Sequence, residues 1–422
     1  MKDQKVKVIK IQKPFISTRE GWSRITSNVL YEDECRPLWF EVPSEYGKYL
    51  CPERSDGFLI GLLYTAMTEH CDVVCEAPVG ERLLYQIREY LVPSVVKASH
   101  NLYAPKILAS IDPQEIKSAG AVGTGISCGV DSLHVVANEW KSEYESLNIT
   151  HLTLYKVGAF LNTGHQFEWQ MDHARSFCEE YGFKLIETDS NLLDVFPRWH
   201  LLANTYSNVF AVYMLQKLWG TYYYASVGQD FSDFSLKNND LFDSGHYDLL
   251  SLGCFSTPAL RIYSEGGAKT RFEKTKQLVD FEPAQKYLHV CLHNSGGNCN
   301  VCQKCRRTLV TLDALNALDK FKSVFDVEYY RKHINDYYAW MLEQKWVVGG
   351  DNMIGDAYRI LKSQIPFRLY VKDWIRQMPT RVKRKAKRIK WLRMLYRRYI
   401  RRVENWRDIP DVEFVTQMQG VV

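Results

Sequence analysis

Apolar and polar positions follow two rhythms along this chain. Between residues 116 and 320, short apolar runs alternate with stretches of helical period. Runs at 121–126, 152–157, 184–188 and 222–227 predict strands, and helices are expected from Asp131, through Cys178 and around 209–218. Strands alternating with helices predict parallel βαβ units, whose ligands sit beyond the carboxyl ends of the strands. Residues 1–115 read differently. Period two over 5–8 resumes at 9–11 after one slip, as in a half-buried strand. A second strand is expected at 38–42, and helices over 55–69 and 81–91, the latter followed by Pro93. This describes a small α+β domain that packs on the α/β domain and helps shape its pocket. Beyond 320, residues 327–344 predict a helix rich in Tyr and Trp, broken by Gly349 and Gly350. The expected division of the 422 residues is therefore 1–115, 116–320 and 321–422.

The first apolar run of the middle region ends in Ser127-Cys128-Gly129-Val130-Asp131-Ser132, and Leu133 to Ala137 follow as a helix. A strand–turn–helix of this kind points backbone N–H groups and two hydroxyls at one spot, beside the positive end of a helix dipole. A phosphate fits there, and Asp131 adds a carboxylate suited to magnesium. The functional expectation is a nucleoside triphosphate held by its phosphates. The bland one is an ordinary turn in which Asp131 caps nearby amides. Cys128 carries a Cβ in a tight turn, and its thiol lies near a helix N-terminus, which lowers thiol pKa.

Further on, Cys291, Cys299, Cys302 and Cys305 stand in a C-x7-C-x2-C-x2-C pattern. Four thiolates so spaced suit a tetrahedral zinc site, structural because the protein fills every position. Gly296 and Gly297 let the intervening loop fold back, and Cys305 is expected to open a helix. Disulfides are the competing reading. The first residues, Met1-Lys2-Asp3-Gln4, show no apolar leader, so a reducing, cytoplasmic location is expected. Most of the other seven of the eleven cysteines read as small buried hydrophobes.

Together the two motifs resemble the PP-loop ATP pyrophosphatase superfamily, whose turn is Ser-Gly-Gly-x-Asp-Ser, and within it the 7-cyano-7-deazaguanine synthase-like proteins. That branch carries the turn early and a four-cysteine zinc site late. His165-x2-Glu168 and Ala268-Lys269-Thr270-Arg271 are similar to its shorter motifs. Cys128 departs from the pattern's glycine, residues 160–164 are inserted, and the family's Tyr-Gly-Gln stretch is not recognisable. The resemblance covers about residues 118–318. It implies a HUP-type nucleotide domain and an AMP-forming ligase that uses ATP, magnesium and structural zinc. Ser127, Cys128, Gly129, Val130, Asp131 and Ser132 would hold the phosphates, and Val157 and Gly228 would border the nucleotide. Asp131 would ligate magnesium, and Lys269 would offset charge on leaving pyrophosphate. A substrate carboxylate or amide oxygen would take AMP and then yield to a nitrogen nucleophile. The N-terminal domain and the insertion point to a different carboxylate, on a small molecule, a peptide or a saccharide. Two other readings remain. One is RNA thiolation, with Cys128 or Cys254 carrying sulfur; the other is a non-catalytic nucleotide-binding partner protein. Asp230 reads either as a metal or substrate contact or as a turn cap.

Charge changes the picture only at the end of the chain. Residues 381–402 hold twelve Lys or Arg and no acid; removing them turns 54 basic against 49 acidic residues into 42 against 49, from +5 to −7. Ile389, Leu392, Tyr396 and Tyr399 follow helical spacing, which makes this a basic amphipathic segment. An anionic membrane with Trp391 at its boundary, RNA, an acidic protein, or solvent alone would each accept it. Membrane binding would place the protein at the membrane periphery. No apolar stretch is long enough to cross a bilayer, and a homo-oligomer is neither required nor excluded.

Overall fold

The computed structural model describes residues 7–99, 101–157, 164–198, 200–226, 230–236, 244–291, 293, 296–344 and 352–376. It is an α/β protein whose chain divides into two compact units, Met1–His289 and Val290–Val422.

The first unit contains a mixed sheet and a parallel one. In the parallel sheet the strands run in the order Lys184–Glu187, His151–Leu154, Ala121–Gly125, Trp219–Ala225 and Arg261–Glu265, every pairing parallel. The predicted strands of the middle region are all present, with ends shifted by a few residues. Arg261–Glu265 is additional: half polar and at the sheet's edge, it lacks the apolar run of a central strand. Ala121–Gly125 is central, and Gly123 is required there because a Cβ would lie 2.6 Å from the buried Trp219 ring.

The mixed sheet is built on Trp22–Tyr31 and Glu34–Pro43, an antiparallel hairpin. Lys7–Ile11 pairs antiparallel with the first of these and parallel with Cys71–Cys75. The expected helix over 55–69 is Asp56–Thr68, and that over 81–91 runs on through a π turn at Ile87–Leu91 into Val92–Ala98.

The boundary expected at 115/116 does not coincide with the division into units, and the packing gives the reason. One hydrophobic core contains Ile9, Phe40, Leu59 and Met67 together with Tyr155, Phe210 and Trp219. Helix Asp56–Thr68 lies so close to helix His200–Met214 that a Cβ on Gly57 would meet Met214 and one on Gly61 would meet the Phe210 ring. The short strand Asp189–Ser190, which follows the third parallel strand in sequence, pairs with Glu34–Pro43 of the mixed sheet. The division instead falls at 289/290, so the four cysteines belong to the second unit and not to the unit with the parallel sheet. There, helix Gln303–Ala314 is followed by Val327–Lys332 and Ile334–Gln344, two helices where one was expected. Among the described residues no helix is long and apolar enough to cross a membrane.

Candidate functional site

In the parallel sheet the chain winds outward from Ala121–Gly125 through two strands, then returns to the other side with Trp219–Ala225. The strand order reverses between these two neighbours. Beyond their carboxyl ends lies the crevice where open α/β sheets bind ligands. The turn 127–132 leaves the first of these ends, and helix Val130–Glu139 begins within it.

The turn is closed by its own hydroxyls. Ser127 Oγ and Ser132 Oγ are 3.2 Å apart, the Ser127 N–H donates to Ser132 Oγ at 3.3 Å, and the Gly129 N–H donates to Ser127 Oγ at 3.4 Å. Its carbonyls are tied down from outside. Gln170 Nε2 donates to the Ser127 carbonyl and the His289 N–H to that of Cys128, both at 2.8 Å. Cys128 adopts φ of +53°, the left-handed region that favours glycine. Its side chain is fully buried, and burial pushes the thiol well above its ordinary range, with Cys178 adding to the effect. The expectation of a thiol lowered by the helix dipole is therefore corrected: desolvation outweighs the dipole. Val130 is a core residue.

Asp131 is the electrostatic centre. Its Oδ2 lies 2.8 Å from an Arg271 guanidinium nitrogen and its Oδ1 3.2 Å from Lys274 Nζ. Lys274 is buried, and Nζ also donates to the Ser226 carbonyl at 2.9 Å. It therefore bridges the two strand ends that flank the crevice. Arg271 Nε is buried and has no hydrogen-bond partner among the described residues. Both cations come from helix Arg271–Leu278, which a full capping box fixes at Thr270 and Glu273. Residues 271 and 274 are three apart and so share one face.

Lys269 is placed differently from the expectation. It precedes the cap, and its Nζ lies 2.7 Å from Gln277 Oε1 and 3.3 Å from His134 Nε2; Arg271 and Lys274 stand at Asp131 instead. The capping-box spacing Thr270-x2-Glu273 was the signal that could have identified them. His134 is buried, and burial, with Lys269 and Lys274 nearby, lowers its pKa to about 4. Gly266 makes this packing feasible: its φ is +79°, and a Cβ would sit 3.0 Å from His134 Nδ1 and 3.1 Å from Lys274 Cε.

Val157, expected to border a nucleotide, is buried in the core, where Tyr155 stacks on Tyr222. Gly228 and the insertion 160–163 lie outside the described residues, as does the side chain of His165. Asp230 caps the short turn Phe231–Asp233 by accepting from the Ser232 N–H at 2.8 Å. A separate cavity of the first unit is lined by Arg54, Asp56, Gly80, Asp112 and Gln216, and by none of the turn. Its charges are mutually paired, with Arg54 2.7 Å from Asp112.

In the second unit the sulfurs of Cys291, Cys299, Cys302 and Cys305 lie within 4.8 Å of one another. Cys302 caps helix Gln303–Ala314, which starts two residues before the expected Cys305. Backbone N–H groups point at three of the sulfurs: His293 to Cys291 at 3.4 Å, Cys302 to Cys299 at 3.3 Å, and Cys305 to Cys302 at 3.5 Å. Such bonds stabilise thiolates over thiols. Gly297 at φ +134° and Asn300 at φ +64° turn the loop back toward the helix. The Cys302 hydrogen bond, burial and the neighbouring thiols all push Cys305 far up. Four mutually repelling sulfurs with aligned N–H donors can hold a metal ion such as zinc, which would relieve that repulsion.

The fold and sites thus define an α/β protein with a polar turn at its sheet's switch point and a four-cysteine cluster able to take a metal. Compared with protein-family models, curated proteins and solved structures, the chain matches none.

Proposed function

We propose that the turn 127–132 binds ATP and that the protein is an AMP-forming ligase of the PP-loop kind. The carrying observation is Asp131 held between Arg271 and Lys274 at the point where strand order reverses. An acid between two cations beside an anion-binding turn suits exchange of partners: the acid takes a metal, and the cations take phosphate. The buried, unpartnered Arg271 Nε is a donor that a phosphate oxygen would satisfy. The hydroxyl bonds at 3.2–3.4 Å within the turn are long enough to yield to phosphate oxygens. The finer fold assignment, a HUP-type nucleotide domain, belongs to this proposal and is supported by the strand order.

Ser127, Ser132 and the Gly129 amide hold the β and γ phosphates. Asp131 would carry magnesium, which supplies charge neutralisation when bound. A carboxylate or amide oxygen of the substrate attacks the α phosphorus. The α–β bridging bond breaks, and pyrophosphate leaves toward Arg271 and Lys274. A nitrogen nucleophile then displaces AMP and loses a proton. Thiolation is less well supported, because Cys128 and Cys254 are both buried with thiols raised by burial. The test is product analysis with ATP and panels of carboxylic acids. AMP and pyrophosphate are expected, and Asp131→Asn should lower their formation roughly 10²- to 10³-fold. ADP and phosphate as products would exclude attack at the α phosphorus.

A further inference from the structure

The second unit ends, within the described residues, in a helix over 367–376 whose outward face is apolar. Phe367 is 80% exposed, Ile375 59%, Trp374 48% and Val371 38%. These positions, i, i+4, i+7 and i+8, form one stripe on a helix. Arg368, Lys372 and Arg376 fall along one side of that stripe, and all three are exposed. The helix carries a single acid, Asp373, which is buried and accepts from Arg376 at 2.9 Å. Arg376 is also ion-paired with Glu343 of helix Ile334–Gln344, so the face turned to solvent combines large apolar side chains with Arg368 and Lys372.

The sequence continues the same chemistry. Residues 381–402 lie outside the described residues; in sequence, 367–402 hold fifteen Lys or Arg against the one acid, and Ile389, Leu392, Tyr396 and Tyr399 recur at helical spacing. We infer that helix 367–376 is a docking surface for an anionic lipid bilayer, with its apolar stripe entering the acyl boundary and Arg368 and Lys372 meeting headgroup phosphates. The choice rests on the exposed side chains. A nucleic acid would satisfy the cations and stack on Trp374 or Phe367, but it offers little to Val371 and Ile375. A bilayer interface accepts aliphatic and aromatic groups together, and the cations add attraction to acidic headgroups. An acidic protein would have to set an apolar groove among its carboxylates to do the same.

The test is co-sedimentation of the full chain with vesicles of phosphatidylcholine alone and with about a third phosphatidylserine, at low and high salt. Binding is expected to the anionic vesicles only and to weaken with salt. Replacing Trp374 and Ile375 by Ser, both at exposed positions, should reduce partitioning roughly tenfold or more. Replacing Arg368 and Lys372 by Gln should reduce it by roughly tenfold or more. Circular dichroism of each variant confirms that the fold is kept. Absence of binding to anionic vesicles overturns the inference, as does binding indifferent to the Trp374 and Ile375 changes. Tight capture of a polyuridylate oligonucleotide by a chain that ignores vesicles would assign the segment to RNA instead.

Discussion

The turn at 127–132 and the cysteine cluster solve the same electrostatic problem in opposite ways. Each gathers groups that would be costly to leave uncompensated. At the turn, Asp131 is neutralised by the chain's own Arg271 and Lys274. At the cluster, burial and the other thiols all raise Cys305, and the compensation on the protein side is a set of backbone N–H groups. A self-neutralised site can fold without a ligand and exchange partners later. A site of mutually repelling thiolates gains its stability from the ion it takes up.

That contrast can be broken most decisively at the cluster. A strong chelator, or Cys305→Ser, should unfold the second unit and leave the first intact. Metal-linked stability of a four-thiolate site is on the order of 10 kcal/mol, and limited proteolysis mapped along the sequence checks it. Cleavage confined to residues after 290 is expected; a second unit that resists protease after complete metal removal would contradict the contrast.

Next in size is Lys274→Met. It removes a buried cation from Asp131 and from the Ser226 carbonyl. Breaking a buried pair from one side costs about 3 kcal/mol, measurable by urea denaturation. The double variant with Asp131→Asn should lose less than the two single losses added together.

His134 tests the same region by pH. Its folded pKa is lowered to about 4, below the unfolded value of about 6.5. The unfolded chain therefore binds the proton first. Stability is intact above about pH 6.5 and is lost progressively as pH falls toward 4, by up to about 3 kcal/mol. His134→Gln should flatten that slope; an unchanged slope would show that other groups set it.

The smallest effect is expected at Cys128→Gly. A non-glycine residue in the left-handed region costs about 1 kcal/mol, which glycine removes. The lost burial of a small side chain costs a similar amount. Thermal unfolding should shift little, with the turn's activity retained.

Much of this architecture was legible. The uninterrupted apolar runs mark four of the five strands of the parallel sheet and put 127–132 at a strand end. Arg261–Glu265 was not read because its Arg, Ser and Glu break the run. Trp22–Tyr31 is hidden for a similar reason, since Ser23, Arg24, Thr26, Ser27 and Asn28 leave no apolar stretch longer than Val29-Leu30-Tyr31. Lys269 drew attention by its place in a Lys-Thr-Arg triplet, yet the capping box decides which cations face Asp131. The left-handed backbone at Cys128 could not be read, because residue type alone does not force that dihedral. The boundary at 115/116 followed composition, whereas the packing of Gly57 and Gly61 against Met214 and Phe210 was invisible in it.

The pairing of Asp189–Ser190 with Glu34–Pro43 carries a practical consequence. A fragment begun at residue 116 would keep the turn and all five strands of the parallel sheet, but would bare the flank of helix His200–Met214 and strip Asp189–Ser190 of its partner. Such a truncation should aggregate, and transplanting the first 115 residues onto another sheet should fail. The chain up to His289 packs as one compact unit, so it is the shortest piece expected to keep both sheets.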